Sequence, residues 1–357
     1  LSFLGFLLVT LVLCLSVGRG SRQAGRKVLA LAGVVFTVLG GGWRGFAVLA
    51  AGTAATAAVL WCLERLDALP RRLAMAMGCL WHIAVLAVCK LTGWMPLGIS
   101  FFTFQQLWLL KETYTGQYRR SQGDSLLLYT FFFPTVTSGP ILRPEEFFPQ
   151  LREAFLCPSW GDAAAGLYAI SFGMAKKVLL ADPLGAVVSN GWALGQELTA
   201  PAAWIVILGY TLRLYLDFSG YCDIASGCAR LLGIRLPVNF DSPYRALSVG
   251  EFWKRWHITL TSFLRECVYI PLGGNRCSKG RVLFNLFVVW FLTGFWHGAS
   301  WNFMLWGLYY FLFLVLERAF LRRWLERLPA VVGHLYALVV VYFGWVLFKF
   351  TDFSVLG

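Results

Sequence analysis

The chain has 357 residues, of which 58% are hydrophobic and only 14% charged, with 16 tryptophans and a net charge of +13. Soluble domains carry about 25% charged residues, so this composition cannot cover a water-facing surface and reads as a polytopic protein of the lipid bilayer. Its basic residues sit in short clusters between apolar runs, as the positive-inside rule and anionic lipid require, and form no basic stripe with stacking aromatics, which excludes nucleic acid as a partner.

A spanning helix needs about 20 mostly apolar residues. In chain order, candidate spans fall near 1–18, 28–43, 45–63, 73–91, 97–113, 125–142, 163–181, 202–219, 282–298, 301–317 and 331–349. Several are short or carry Gly and Pro and are expected to be re-entrant or broken, with their irregular backbone sheltered by protein or a water-filled cavity. The expected fold is an all-α membrane bundle of about 9–11 spanning or re-entrant helices, in one domain over residues 1–357. No cleavable signal peptide is visible. The chain begins without a methionine and stops just after an apolar segment, so it is expected to be incomplete at both ends. The nine cysteines (14, 62, 79, 89, 157, 222, 228, 267 and 277) include no C-x-x-C pair and no His/Cys ligand cluster. They read as small buried apolar residues, with no metal site.

Basic clusters give the orientation. Arg19, Arg22, Arg26 and Lys27 come first, then Arg65, Arg71 and Arg72, then Lys111, Arg119 and Arg120, each two spans after the last. That alternation places all three loops in the cytoplasm and Leu1 outside. The Pro-rich, charged "ILRPEEFFPQLRE" reads as a surface or interfacial segment.

The stretch "GEFWKRWHITLTSFLREC" (250–267) has a helical period. Phe252, Trp253, Trp256, Leu260, Phe263, Leu264 and Cys267 share one face, and Lys254, Arg255, Arg265 and Glu266 share the opposite one. An interfacial or half-buried amphipathic helix is expected there, with Ile258 off the pattern and His257 at the margin of the apolar face.

The run from Val282 to Leu316 is 35 residues without Asp, Glu, Lys or Arg, yet it contains His297, in "FLTGFWHGASWNF". A full charge at membrane depth costs roughly 2.5–3.5 kcal/mol on insertion scales, so an intramembrane ionisable group reads as functional. His297 and His257 each follow a tryptophan in stretches rich in Trp, Asn, Ser or Thr, whereas His82 and His334 have no polar neighbours in sequence and read as structural. A buried imidazole stays neutral near pH 7 and can take a proton from a hydroxyl. The chain lacks G-x-S-x-G and H-E-x-x-H, so neither a nucleophile elbow nor a zincin is expected, and Ser300 is a weak nucleophile candidate. Asp217 and Asp223 close an apolar run; Arg213 stands four residues before Asp217 as its expected partner. These acids read equally well as a polar clasp between helices or as the lining of a polar cavity.

Six stretches resemble the membrane-bound O-acyltransferase superfamily, above all its bacterial branch containing the alginate O-acetyltransferase membrane subunit. They are "GISFFTFQQ" (98–106), "FFPTVTSGPILRPEEFFPQL" (132–151), "GMAKKVLLAD" (173–182), "YLDFSGYCDIASGCARLLGIRLPVNFDSPY" (215–244), "EFWKRWHITLTSFLRECVYIPLGGNR" (251–276) and "GFWHGASWNFMLWGL" (294–308). Their order and spacing match over nearly the whole chain. The resemblance implies that His297 matches the superfamily's near-invariant histidine and His257 the second histidine of this branch. It also implies a funnel-shaped bundle with both rings near a tunnel joining the membrane faces. Glu266 stands where the family usually has Asp, and "YYF" (309–311) where it usually has a His-Gly pair; both weaken any assignment of a particular acceptor. The family also normally continues well beyond residue 357, so the chain is expected to be truncated at its C-terminus.

The resulting expectation is a multi-pass O-acyltransferase, with acetyl the foremost acyl group, of the bacterial cytoplasmic membrane. It would move the group from a thioester co-substrate (acetyl-CoA or an acyl carrier) to an extracytoplasmic polysaccharide acceptor, directly or through a periplasmic or surface acetyltransferase partner. His297 would be the general base, with His257 orienting the donor or stabilising the oxyanion. Asp217, Arg255 and Asn302 are expected to line the cavity, and no metal is required. D-alanyl transfer to teichoic acid is the near alternative. A proton-coupled transporter would instead need carboxylates spaced through several spans and inverted repeats, and neither is visible. A scaffold that only recruits an enzyme would leave both histidines replaceable. If one reaction uses both rings, they should lie within roughly 15 Å of each other.

Overall fold

The computed structural model describes residues 3–119, 121, 124–153, 155–156 and 158–350. Leu1, Arg120, Cys157 and residues 351–357 lie outside the described residues. Among the described residues the regular structure is helical, and six helical segments are long and apolar enough to cross a membrane. The protein is a multi-pass, all-α membrane protein. The chain divides into two compact units, Leu1–Gly173 with Tyr221–Pro237, and Met174–Gly220 with Val238–Gly357.

The first unit begins with α1 (Phe3–Gly20), whose partner α2 (Arg22–Arg65) is capped by Ser21. Two spans were expected in α2, and they are joined there across a kink at Gly42, whose φ of 70° suits only a residue without a Cβ. The buried face of α2 sets small residues such as Gly25, Gly33, Gly45, Gly52 and Thr56 among Leu29, Leu49, Leu60 and Leu63, while Leu31 and Leu39 point outward. Small residues on the packed face and leucines on the outer one are what lipid permits. Hydrocarbon solvates leucine well, so helices associate by close backbone packing through small residues. Next come α3 (Ala68–Thr92) and α4 (Ile99–Thr115), which pack on α2.

The span expected at 125–142 does not form. Only α5 (Leu126–Thr130) is helical, and turns follow to Arg143. Pro134 and Pro140 each remove a backbone donor and clash with the preceding turn. The segment is buried nonetheless, with Phe131, Phe132 and Phe133 almost fully enclosed. Its backbone is satisfied locally, by Thr135 N–H donating to the Phe132 carbonyl (3.0 Å) and the Tyr129 hydroxyl donating to the Leu142 carbonyl (2.8 Å). The Pro-rich segment that follows becomes α6 (Pro144–Glu153), which buries Phe147, Phe148 and Leu151 and exposes Glu145 and Glu146. After it comes α7 (Trp160–Met174).

In the second unit a π-helical stretch (Ala175–Ala181) runs into α8 (Asp182–Ala193). Then α9 (Ala200–Leu231) gives its residues up to Gly220 to this unit and the rest to the first.

The single amphipathic helix expected over 250–267 is broken. It becomes α10 (Val249–Arg255) and α11 (Ile258–Leu264), separated by an extended Trp256 and a left-handed His257, followed by a π-helical turn (Arg265–Tyr269). The apolar stripe survives as buried Phe252, Trp253, Trp256, Leu260 and Phe263. The break exists because residues 239–241 compete for the backbone: Phe240 bridges Trp256, Asp241 N–H donates to the Arg255 carbonyl (3.0 Å), and Ile258 N–H to the Asn239 carbonyl (3.0 Å). Ile258, off the helical stripe, marks the place.

Three further apolar helices complete the unit: α12 (Lys279–His297), α13 (Trp301–Leu316) and, after a π-helical turn (Glu317–Leu321) and the short α14 (Arg322–Leu325), α15 (Ala330–Lys349). Their core is aromatic. Trp253 lies 5.0 Å from Trp290 and 4.8 Å from Tyr310, and Trp256 4.9 Å from Trp345. Such pairs are worth about 0.5–1.5 kcal/mol each beyond area burial, a packing energy that persists where the hydrophobic effect between helices is absent.

Candidate functional site

His257 occupies the break. It is 3% exposed and sits at φ 48°, ψ 54°, a left-handed conformation that costs a residue with a Cβ roughly 1–2 kcal/mol. That strain is sustained by Asn239, itself buried. The Asn239 Oδ1 accepts from the Thr259 N–H (3.1 Å) and the Thr259 hydroxyl (3.0 Å) and lies 3.3 Å from His257 Nδ1. An atom that accepts a backbone N–H is the amide oxygen, so it can receive only a proton from the imidazole. His257 therefore carries its hydrogen on Nδ1, and in the neutral ring Nε2 holds the lone pair. His257 lies outside the segments long enough to span a membrane. Burial pushes its pKa down to about 3, so the ring is neutral at physiological pH.

Helix α10 is anchored at its start. Glu317 accepts from two of its orphan donors, Val249 N–H (2.6 Å) and Gly250 N–H (2.9 Å), and Ser248 caps Glu251 N–H (3.0 Å). The segment bearing Trp253, Trp256 and His257 is thereby fixed at both ends.

His297 ends α12 and is held by rings. Trp306 lies 5.1 Å away, Phe348 4.9 Å and Trp296 4.6 Å. A Cβ on Gly294 would overlap the Phe303 carbonyl oxygen, which is how α12 and α13 come close enough to build this cage. Phe348 is fixed in turn by Asn302, whose amide donates to its carbonyl (3.3 Å).

The two imidazoles share one cavity of about 270 Å³, whose wall includes Trp253, Trp306, Thr293 and Phe348. The His257 ring is 6.2 Å from Trp296, and Trp296 is 4.6 Å from His297, so the two imidazoles are separated by no more than those two steps together. That is inside the roughly 15 Å required of rings serving one reaction.

The other polar residues expected in the wall are elsewhere. Asp217 pairs with Lys177 (2.8 Å), which also binds Asp182 (2.6 Å); Arg213, its expected partner, does not form that pair. Arg255 binds Glu251 (2.9 Å) and Asp241 (3.1 Å), and Asn302 is a buried clamp. None of these three is among the residues lining the cavity. The Ser300 hydroxyl donates to Asn302 (2.5 Å) and is likewise absent from that lining. His82 hydrogen-bonds Thr56 (2.9 Å) and His334 the Ala246 carbonyl (3.3 Å), structural roles in both cases. Among the described residues no cluster of His, Cys, Asp or Glu could hold a metal ion. Sequence reasoning missed Asn239. Its only signal was a lone amide inside "PVNFDSPY", two residues ahead of the turn-forming Asp241, Ser242 and Pro243.

The profile of MBOAT, the membrane-bound O-acyltransferase family, matches residues 74–356. The chain is 37% identical to a peptidoglycan O-acetyltransferase of Helicobacter pylori over 71% of its own length and 54% of that protein's. It is 35% identical to a protein of Pseudomonas aeruginosa named probable alginate O-acetylase, over 73% and 50%. It is 27% identical to a teichoic acid D-alanyltransferase of Bacillus subtilis, over 72% and 68%. The chain thus spans about half the length of the two O-acetyl-transferring relatives.

Proposed function

Because the chain belongs to the membrane-bound O-acyltransferase family, we propose that it moves an acetyl group from a cytoplasmic thioester to a hydroxyl of an extracytoplasmic cell-envelope polysaccharide, directly or through a partner transferase. The observation that carries this reading is the convergence of His257 and His297 on one small apolar cavity. In the proposed step, His297 takes the proton of the acceptor hydroxyl as its oxygen attacks the thioester carbonyl. The tetrahedral intermediate collapses with cleavage of the C–S bond, and the departing thiolate recovers the proton from the imidazolium.

The tautomer of His257 separates its two expected roles. Stabilising an oxyanion requires a hydrogen-bond donor, and the Nδ1–H of His257 is directed at Asn239. Its Nε2 lone pair suits an N–H on the substrate, such as the amides of a pantetheine arm, which supports the donor-orienting role. Peptidoglycan and alginate-like exopolysaccharide are the acceptors the relatives' names favour.

D-alanyl transfer is less well supported. A D-alanyl group carries an ammonium, and the cavity wall includes Lys254 and Arg265 but no Asp or Glu; an unpaired cation taken into apolar surroundings is costly. The test is acetyl content of envelope polymers in cells lacking the protein, complemented with wild type or His297→Ala. Wild type should restore acetylation, and an equally abundant variant should not. Full acetylation in the His297→Ala cells would end this mechanism.

A further inference from the structure

Helix α13 is in touch with both imidazoles, one directly and one through α10. Near its start the buried Trp306 lies 5.1 Å from the His297 ring. Where α13 ends, Glu317 reaches across to the first residues of α10, the helix that leads to His257. Between these points Trp253 of α10 packs on α13 twice, 5.5 Å from Trp306 and 4.8 Å from Tyr310. Val249 thus stands beside Glu317, and Trp253 beside Tyr310 and Trp306. Helix α10 therefore runs back along α13, towards the end that meets His297.

Glu317 is an unusual residue for this place. It is the first charged residue after the run from Val282 to Leu316, and it is buried, with 6% of its surface exposed. A carboxylate is costly to bury unless its oxygens are hydrogen-bonded. Both are: Oε1 accepts the Val249 N–H and Oε2 the Gly250 N–H. These are the first donors of α10, which no carbonyl of their own helix can satisfy. A Cβ on Gly250 would stand 3.1 Å from Oε2, so the glycine leaves the carboxylate its room. Helix α10 has only seven residues, and isolated helices shorter than about 12–15 residues are marginal. Its place is set from outside.

We propose, resting on the acyl-transfer reading, that Glu317 is a positioning residue: through α10 it holds His257 in register with His297, with α13 as the fixed spacer between the rings. Trp306 and Glu317 lie about 16 Å apart along that helix, at about 1.5 Å per residue. A rigid element of this length meets one ring by packing and reaches the other through a carboxylate clasp. It fixes a spacing that the irregular turn at 256–257 would leave loose. The far side of His257 is held by Asn239. Releasing Glu317 frees the near side and lets the ring leave the Asn239 oxygen.

The test reads the ring itself and then the rate. The full chain, isotopically labelled in its histidine nitrogens, is placed in lipid nanodiscs and studied by solid-state magnetic resonance. Four histidines give a short spectrum, and H257N identifies the His257 signal by its absence. Wild type should show one neutral His257 ring protonated on Nδ1. E317Q keeps the reach of the side chain but turns an acceptor into a donor, and should lose most of that signal to other states. E317D keeps the charge with a shorter reach and should fall between; it decides the matter should E317Q not fold. E326Q, which removes an equal charge at the surface, should leave the signal intact. Acetyl transfer at matched protein levels should drop about tenfold or more in E317Q, since a small misplacement of a catalytic group is enough for that. In a His257→Ala background the same change should cost less than about twofold, because Glu317 acts through that ring. A His257 signal unchanged in folded E317Q or E317D, or an equal loss of transfer in both backgrounds, overturns the proposal. The spectrum needs no substrate, so an unchanged signal strikes the positioning role alone, and a wild type that transfers no acetyl strikes the acyl-transfer reading alone.

Discussion

His257 and His297 both follow a tryptophan, yet they stand in different backbone settings and among different neighbours. His297 ends a regular helix and is enclosed by Trp296, Trp306 and Phe348, rings brought in by α12, α13 and α15. His257 sits in an irregular left-handed turn, and its orientation comes from Asn239 and the Thr259 network. Packing tolerates rotation of an imidazole more readily than a hydrogen bond does. A base that takes up and then releases a proton during turnover gains from the first arrangement. A group that must present one fixed nitrogen to a donor gains from the second.

The largest expected effect tests whether the two rings work as one unit. His297→Ala should lower acetyl transfer by about 10²–10⁴-fold, the usual contribution of a general base. The His257→Ala/His297→Ala double variant should fall little further, because groups that act together lose most of the rate when either is removed. Transfer rates for both single variants and the double, at matched protein levels, measure this. Strictly multiplicative losses would assign His257 to structure and leave His297 as the sole base.

A smaller effect isolates the hydrogen-bonded side. Asn239→Ala deprives the Thr259 N–H, the Thr259 hydroxyl and the His257 Nδ1–H of their common acceptor. Each buried donor left unsatisfied costs about 1–3 kcal/mol, so thermal stability should fall together with transfer, the latter by about tenfold or more. Asn239→Asp keeps an acceptor in place and adds a charge that favours imidazolium. It should recover most of the stability while leaving transfer impaired. If Asn239→Asp transferred as well as wild type, the neutral Nε2 lone pair would have no part in the reaction.

Much of this was legible in the sequence, for reasons that also explain what was not. His297 stood out because 35 residues around it lack any charge, and long apolar runs such as 3–20 and 330–349 can only be helices in lipid. The pair of histidines was legible as motifs, but their approach depends on α12, α13 and the 256–257 break meeting in space. Periodicity failed at 250–267 because the apolar stripe is the same whether the helix is continuous or broken. The break is imposed by residues 239–241, distant in sequence, and a one-dimensional pattern carries no such information. It failed at 125–142 because hydropathy counts Pro134 and Pro140 as tolerable. Asp217, Arg255 and Asn302 were singled out as polar residues in apolar company, but each found a nearer partner than the cavity. A polar residue in a membrane protein is as easily consumed in holding helices together as in chemistry, and only the partner decides between them.

The smallest effect bears on protonation and separates the two rings without any substrate. His257 is fully enclosed and its pKa is depressed by burial, whereas His297 is only half-buried. In the unfolded chain a histidine titrates near 6.5. Above that pH neither state binds the proton and the depressed pKa has no consequence. Below it the unfolded chain takes up a proton that folded His257 refuses, so stability falls as the medium is acidified, by about 1 kcal/mol over the first pH unit. In His257→Asn, where the side chain tolerates the left-handed backbone and does not titrate, this share of the acid sensitivity should vanish. Melting temperatures of wild type and His257→Asn at pH 7.5 and pH 5.5 measure it, with every other titrating group cancelling in the difference. Wild type should lose a few degrees more than the variant on acidification. Equal losses would mean that folded His257 takes up its proton as readily as a free imidazole, and the assignment of Nε2 as a permanent acceptor would fall with it.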